Sequence, residues 1–221
     1  MNKIGACAAL TQAGCYLFGF ALLVTSMNPG SAEEWTSVQK LEFILDRTML
    51  FQIWNIVIYV VFGIALVALT AVLHRLLDRP DSIWMSIASP FGFIWAGLVI
   101  ASGMIASVGL SAATEQYASN PEQAAKLWST LGVIQNGLGG GVEVAGGVWV
   151  LLISLGSMRR GGGFPVWLNG LGLIVALAGI LTVVPALTGL GAVFGLTQIV
   201  WFLAVAAVLF RWRDQALTTH S

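Results

Sequence analysis

The sequence predicts an all-α polytopic membrane protein: a single bundle of six transmembrane helices, with an extra amphipathic helix between the first two. Three observations carry that expectation. The 221 residues are 57% hydrophobic and 9% charged, against about 25% charged in an ordinary soluble domain, and the mean hydropathy is +0.87. Apolar runs long enough to cross about 30 Å of hydrocarbon recur along the whole chain. Lysine and arginine concentrate in alternate connections between those runs, the bias that sets membrane orientation. No length is left over for a separate soluble domain, so residues 1–221 are expected to form one six-helix domain in contact with the lipid bilayer. Ten basic residues balance ten acidic ones without a basic block, which argues against nucleic acid as a partner.

The first span is expected at residues 4–27, after Lys3. Its apolar run exceeds the roughly 7–15 residues of a signal-peptide core, so it reads as a retained helix although Gly30-Ser31-Ala32 resembles a cleavage site. Cys7 and Cys15 fall eight residues apart, which turns them roughly 80° from each other on a helix. They cannot bridge there, and without a CxxC or a neighbouring histidine they read as packing residues. Asn28-Pro29-Gly30 ends the span. Over residues 32–50, Trp35, Val38, Leu41, Ile44 and Leu45 recur at helical spacing opposite Glu34, Lys40, Glu42 and Asp46. That pattern predicts an amphipathic helix on the interface with Trp35, Leu41 and Leu45 buried, a candidate lid over the bundle.

The second span is expected at 51–73, ending at His74-Arg75, with the turn at Asp78-Arg79-Pro80-Asp81. Ser82 is a candidate cap for the third span, 83–111, in which Gly92, Ala96, Gly103 and Ser107 mark close helix contacts. A polar loop follows at 114–123, where Asn120 is suited to cap a helix beginning at Pro121. The fourth span, 127–158, carries Asn136-Gly137-Leu138-Gly139-Gly140-Gly141-Val142-Glu143-Val144-Ala145-Gly146-Gly147 and stops at Arg159-Arg160. The fifth is expected at 166–187, and a turn at Thr188-Gly189-Leu190-Gly191 leads into the sixth, 192–210. Arg211-Trp212-Arg213 closes it, leaving a short polar tail.

Six spans put both termini on one side. Lys3, Arg75, Arg79, Arg159, Arg160, Arg211 and Arg213 lie on that side, against Lys40, Arg47 and Lys126 on the other. The positive-inside bias therefore places both termini in the cytoplasm, in a multi-pass protein of the inner (cytoplasmic) membrane. Tryptophans 35, 54, 84, 128, 167 and 212 fall near the expected interfaces, as an aromatic belt does.

Glu143 is the most costly residue to place. A carboxylate at bilayer depth costs about 2.5–3.5 kcal/mol even on the lenient insertion scale, and such groups face a bundle interior or a wet cavity. No Lys, Arg or His falls at comparable depth, so Glu143 is expected either to be protonated and hydrogen-bonded or to meet a cation or a water-filled cavity. On the fourth span Ser129, Asn136 and Glu143 are seven apart, so they fall nearly in line on one face. Gln52, Asn55 and Tyr59 form a second polar line at the outer end of span two, Gln198 lies on span six, and Gln12 lies near mid-depth on span one. Together these eight residues are the candidate binding set.

Several chemistries lack residues. Only His74 and His220 exist, both outside the expected hydrocarbon core, so no bis-histidine haem or histidine-rich metal centre is expected. No lysine lies within a span to form a Schiff base. No Ser/His pair or paired aspartates for intramembrane proteolysis are expected, and residues 137–141 lack the Lys-Ser/Thr of a phosphate loop. No catalytic residue, cofactor or metal is therefore assigned.

A glycine-rich fourth span, Arg159-Arg160, Phe164-Pro165-Val166-Trp167-Leu168 and Gly170-Leu171-Gly172-Leu173 together resemble an uncharacterised bacterial family of six-span integral membrane proteins, classed as a domain of unknown function. The resemblance covers spans four to six well and the first half of the chain in layout. It implies the six-span fold and brings no activity with it; Glu143 and Asn169 depart from its pattern. From the residues themselves, the first expectation is a protein that binds or passes a small solute, cationic or protonated, or a lipid-like molecule, through an outward-facing polar cavity ending at Glu143. The alternative is a non-catalytic scaffold or accessory subunit of a membrane complex, whose glycine faces pack a membrane-protein partner or a second copy of the chain.

Overall fold

The computed structural model describes residues 1–28, 30, 34–78, 83–159 and 163–218. The expectations placed on Pro29, Ser31, Ala32, Arg79, Pro80, Asp81, Ser82, Arg160 and His220 lie outside them. Among the described residues the fold is all-α, with seven helices and no strand. They are α1 (Asn2–Val24), α2 (Ser37–Leu45), α3 (Thr48–Leu77), α4 (Trp84–Tyr117), α5 (Pro121–Met158), α6 (Val166–Leu181) and α7 (Leu190–Thr218). Five of them, α1, α3, α4, α5 and α7, are long and apolar enough to cross a membrane, and α6 is a shorter apolar helix.

Helices adjacent in sequence are adjacent in space: α1 packs on α3, α3 on α4, α4 and α6 on α5, and α6 on α7, which returns to α1. The six close a ring around an aromatic centre. Trp95 of α4, Trp149 of α5 and Trp201 of α7 are fully buried in a chain of ring contacts, with centroids 5.8 Å and 5.6 Å apart. Phe62, Phe194 and Phe202 complete the cluster, and such ring pairs contribute about 0.5–1.5 kcal/mol each beyond area burial. Glycines make room for the indoles: a Cβ at Gly146 would lie 2.6 Å from Trp95, and one at Gly172 would lie 3.0 Å from the Trp201 nitrogen. The outer faces are the reverse, with Ile4, Leu17, Ile64, Phe93, Met104, Val108, Leu177 and Leu203 exposed. A surface of that kind suits lipid rather than water.

The small residues expected to mark contacts in α4 do so. Gly92, Ala96 and Gly103 are buried, and Ser107 accepts a hydrogen bond from Asn55 of α3. Asn120 caps α5 by accepting from the Gln123 N–H at 3.1 Å, with Pro121 in the first turn.

Several boundaries differ from expectation. The amphipathic segment is shorter than 32–50, because Arg47 leaves helical geometry (φ −123°, ψ 26°) and Thr48 already belongs to α3. Thr36 and Gln39 form a reciprocal capping box at the start of α2. Leu41 is fully buried against Ala113, Ala124 and Ala125, and Leu45 is partly buried. Trp35 precedes the helix and packs half-exposed on Phe43. The fourth helix runs to Tyr117 rather than 111, and its last hydroxyl donates to Glu42 Oε1 of α2. Helix α6 ends at Leu181 rather than 187, where Thr182 turns its hydroxyl back to the Gly179 carbonyl at 2.6 Å and Pro185, lacking an N–H, cannot continue the ladder. Helix α7 begins at Leu190 rather than 192 and stays helical to Thr218, past the expected end at 210.

The largest correction concerns α5. It is not one continuous helix over 127–158 but two half-helices, α5a (Pro121–Gln135, continued by a π-helical turn Asn136–Gly140) and α5b (Val144–Met158), separated by an irregular break.

Candidate functional site: the break in α5 and its cavity

The break is made by glycine. Gly139 adopts φ 125°, ψ 17°, a region closed to residues with a Cβ. Several of the backbone groups released there find partners within the bundle. The Gln135 carbonyl accepts from Ser102 Oγ of α4 at 3.3 Å. The Asn136 carbonyl accepts from the N–H groups of Gly141 and Val142. The Glu143 N–H donates to Thr182 Oγ1 of α6 at 2.8 Å, and the Glu143 carbonyl accepts from Gly147 N at 2.8 Å, opening α5b. Glu143 is thus the N-cap residue of a half-helix that begins inside the bundle, with its carboxyl group at the positive end of the helix dipole.

In front of the break lies a cavity of about 390 Å³. It runs from Phe62 and Trp95 in the middle of the bundle to Leu23, Trp54 and Thr188, at the end that carries the connections 25–36 and 182–189. Tyr16, Phe20 and Tyr59 line its walls, Gly139, Gly141 and Glu143 form the side made by the break, and Gly191, Ala192 and Gly195 belong to α7. Among the described lining residues there is no Lys, Arg or His. The Trp95 N–H faces the carboxyl group without reaching hydrogen-bond geometry, so Glu143 Oε2 and Trp95 Nε1 are both shielded and unpartnered. A second π-helical segment, Ile56–Val61 in α3, brings Ile58 and Tyr59 to the same cavity. Single π turns inside α-helices are frequent at functional sites, and here two of them meet across one opening.

No family model, curated protein or solved structure matches this chain. The site is therefore described by its own geometry.

Of the eight candidate residues, the structure brings Glu143 and Tyr59 together on the cavity. Asn55 is buried beside it as a tie between helices, its Nδ2 donating to the Gly103 carbonyl at 2.6 Å and to Ser107 Oγ at 2.8 Å. Gln52 is half-buried on the same helix and does not line the cavity. Gln12 of α1 and Gln198 of α7 are fully buried, with both amide atoms of each unpartnered. Gly5 meets Leu209, and Gly195 meets Tyr16 and Phe20, so the antiparallel pair sets the two glutamines at similar depth, outside the cavity lining. Ser129 and Asn136 are exposed. Their expected alignment with Glu143 assumed an unbroken helix, and the break resets the rotation between α5a and α5b.

Sequence reasoning missed most of the aromatic wall and one tie between helices. Thr182, buried at the end of α6, holds the Glu143 N–H; the sequence offers it among the polar residues of the spans around Glu143. Of the aromatic walls only Tyr59 was singled out, because aromatic residues in a spanning helix otherwise read as packing. Against the expectation of no Ser/His pair, His74 Nδ1 lies 2.8 Å from Ser89 Oγ, and His74 Nε2 lies 3.8 Å from Asp78. Ser89 is buried between α3 and α4, at the opposite end of the bundle from the cavity mouth, so the pair acts as an interhelical tie.

Proposed function

We propose that the chain is a six-span protein of the inner membrane that binds or passes a small solute, or a lipid-like molecule, through an outward-facing cavity ending at Glu143. In this reading α6 is the fifth of six spans, α2 lies on the outer interface, and the likeness to the uncharacterised six-span family is kept as part of the proposal. The observation that carries it is the cavity at the break of α5, with a shielded, unpartnered carboxylate oxygen as its most polar feature. Half-helix ends at mid-depth are a recurring way of presenting backbone and carboxylate groups to a solute. Helix α2 lends no wall to the cavity, since it packs on α5a. A lid role is therefore not part of this proposal.

Thermal stability of the wild type, Glu143→Gln and Glu143→Leu in detergent, from acid to mildly alkaline pH, tests the role of the carboxyl group. Gln keeps a donor and an acceptor at similar volume, so a purely structural Glu143 predicts little loss with Gln. The proposal predicts that Gln keeps the fold and flattens the dependence on pH and added solute, while Leu damages both. Three superimposable profiles would sink this reading of the site. Orientation is tested separately. A cysteine at Ser119, exposed after α4, is expected to react with an impermeant thiol reagent from the periplasmic side; labelling only from the cytoplasm reverses the topology.

The scaffold reading has one observation in its favour. Helix α5a turns Ser129, Val133 and Asn136 outward, and the positions around Gly132 and Gly137 are open, which leaves a small-residue face available to another helix. Obligatory co-purification with a second membrane protein, lost on Gly132→Leu, favours that reading over the first.

A further inference from the structure

We propose that the occupant of the cavity is a small organic cation, an ammonium group carrying alkyl substituents, held between the Glu143 carboxylate and the aromatic rings that line the walls. This rests on the cavity reading above and names the class of solute that the lining selects.

Charge decides the sign. Glu143 carries the one carboxyl group among the described lining residues, and its Oε2 is shielded and unpartnered; once ionised, a buried carboxylate is stable only with a compensating partner. No cationic side chain lines the cavity to supply it. The half-helix N-terminus of α5b does not turn the site toward anions, because Glu143 itself occupies that end.

The walls decide the chemistry of the cation. A bare divalent ion takes about six or more oxygen ligands, and among the described residues no group of three His, Cys, Asp or Glu side chains stands close enough to hold a metal. What the cavity offers is six aromatic side chains, Tyr16, Phe20, Trp54, Tyr59, Phe62 and Trp95, around one carboxylate. Tyr16 and Tyr59 both lie within electrostatic reach of the Glu143 carboxylate. Aromatic rings attract a cation through their quadrupole, and cages of them recognise alkylated ammonium groups, whose charge is spread over carbon and whose hydration is cheap to remove. A strongly hydrated inorganic ion gains nothing from such walls.

Volume sets the size. About 390 Å³ is near the lower end of the roughly 300–1,000 Å³ of small-molecule sites. That accommodates an ammonium with a few short alkyl groups and leaves no room for a two-chain lipid.

The test is binding to the purified full-length protein in detergent, by calorimetry and by intrinsic tryptophan fluorescence. The probes are choline, tetraethylammonium and 3,3-dimethylbutan-1-ol, the neutral isostere of choline. Both cations are expected to bind, the neutral isostere at least about tenfold more weakly, and Glu143→Gln is expected to lower choline affinity by at least about tenfold. Glu143→Asp keeps the charge one methylene away and should weaken choline less than Gln does, which guards against a general loss of fold. Phe20→Leu removes a ring and should weaken the cations but not the isostere. Equal binding of choline and its isostere, or an unchanged choline affinity in Glu143→Gln, overturns the cation. If in that case Ala192→Trp, which plugs the cavity, still abolishes binding of the isostere, the cavity reading survives alone. Absence of binding by all three probes also overturns the cation, and the thermal profiles of the Glu143 variants decide separately whether the cavity reading falls with it.

Discussion

Replacing Gly147 by valine is expected to abolish the monodisperse folded protein in detergent, and Gly147→Ala to cost about 1–3 kcal/mol, the range for overpacking a close contact. A Cβ at Gly147 would stand 2.8 Å from the Ala176 carbonyl oxygen and 2.8 Å from the Ile180 nitrogen, both backbone atoms of α6. Backbone in the middle of a helix cannot rotate away as a side-chain tip can, so α5b and α6 have to separate. Separation has a second effect, since Gly179 brings α6 close to the Glu143 carbonyl and Thr182 holds the Glu143 N–H. The same change that loosens the pair therefore releases the residue at the base of the cavity. Gly97→Ala is the control: nothing lies within 4 Å of its Cβ position in α4, and alanine there is expected to gain up to about 1 kcal/mol from helix propensity. A melting temperature for Gly147→Val equal to that of the wild type would show that the two helices do not approach as described.

The second large effect is expected at Gly139, for a different reason. Its Cβ position is roomy, the nearest atom being Val99 Cγ2 at 3.9 Å, but its φ of 125° excludes side chains. Gly139→Ala pays only in backbone conformation, about 1–3 kcal/mol for a residue held in a disfavoured region, and Gly139→Val pays more. Gly137, two residues earlier, has open space and no positive φ, so alanine is expected to be tolerated there. The comparison is read from melting curves together with Trp95 fluorescence. A chain forced out of the break rotates α5b and carries Glu143 away from Trp95. Equal tolerance at 137 and 139 would mean that the break is not a fixed feature of the fold.

The membrane class and the number of apolar segments were legible because burial in lipid imposes long uninterrupted apolar runs, and Asn120-Pro121 was legible because capping is local chemistry. The small residues of α4 were read as contacts for the right reason, although what they admit, indole rings and β-carbons of α3, is a matter of tertiary packing. The break was not read, since a glycine-rich apolar stretch fits a tightly packed continuous helix as well as an interrupted one. The discriminating signal lay in Gly139-Gly140-Gly141, because three successive glycines within a helix cost about 1 kcal/mol each relative to alanine. Once the helix is interrupted, seven-residue spacing no longer measures a common face, and that is why Ser129 and Asn136 turn outward while Glu143 does not. The tie between His74 and Ser89 spans a helical hairpin and leaves no trace in local periodicity.

Helix α6 has 16 residues, about 24 Å at 1.5 Å per residue, against a hydrocarbon layer of about 30 Å. The deficit is made up by irregular chain: Val183, Val184 and Leu187 are exposed and apolar, and their N–H groups are met by turn hydrogen bonds to Ile180, Leu181 and Val184. In a bilayer this flank is a place of hydrophobic mismatch, where the lipids either dip to follow the short helix or bear against a turn instead of a cylinder. Thr188 and Gly191, which follow that turn, are at the mouth of the cavity. With α6 as a span, as proposed above, the opening stands beside a local thinning of the leaflet, and the elastic state of the membrane bears on the segment that frames it.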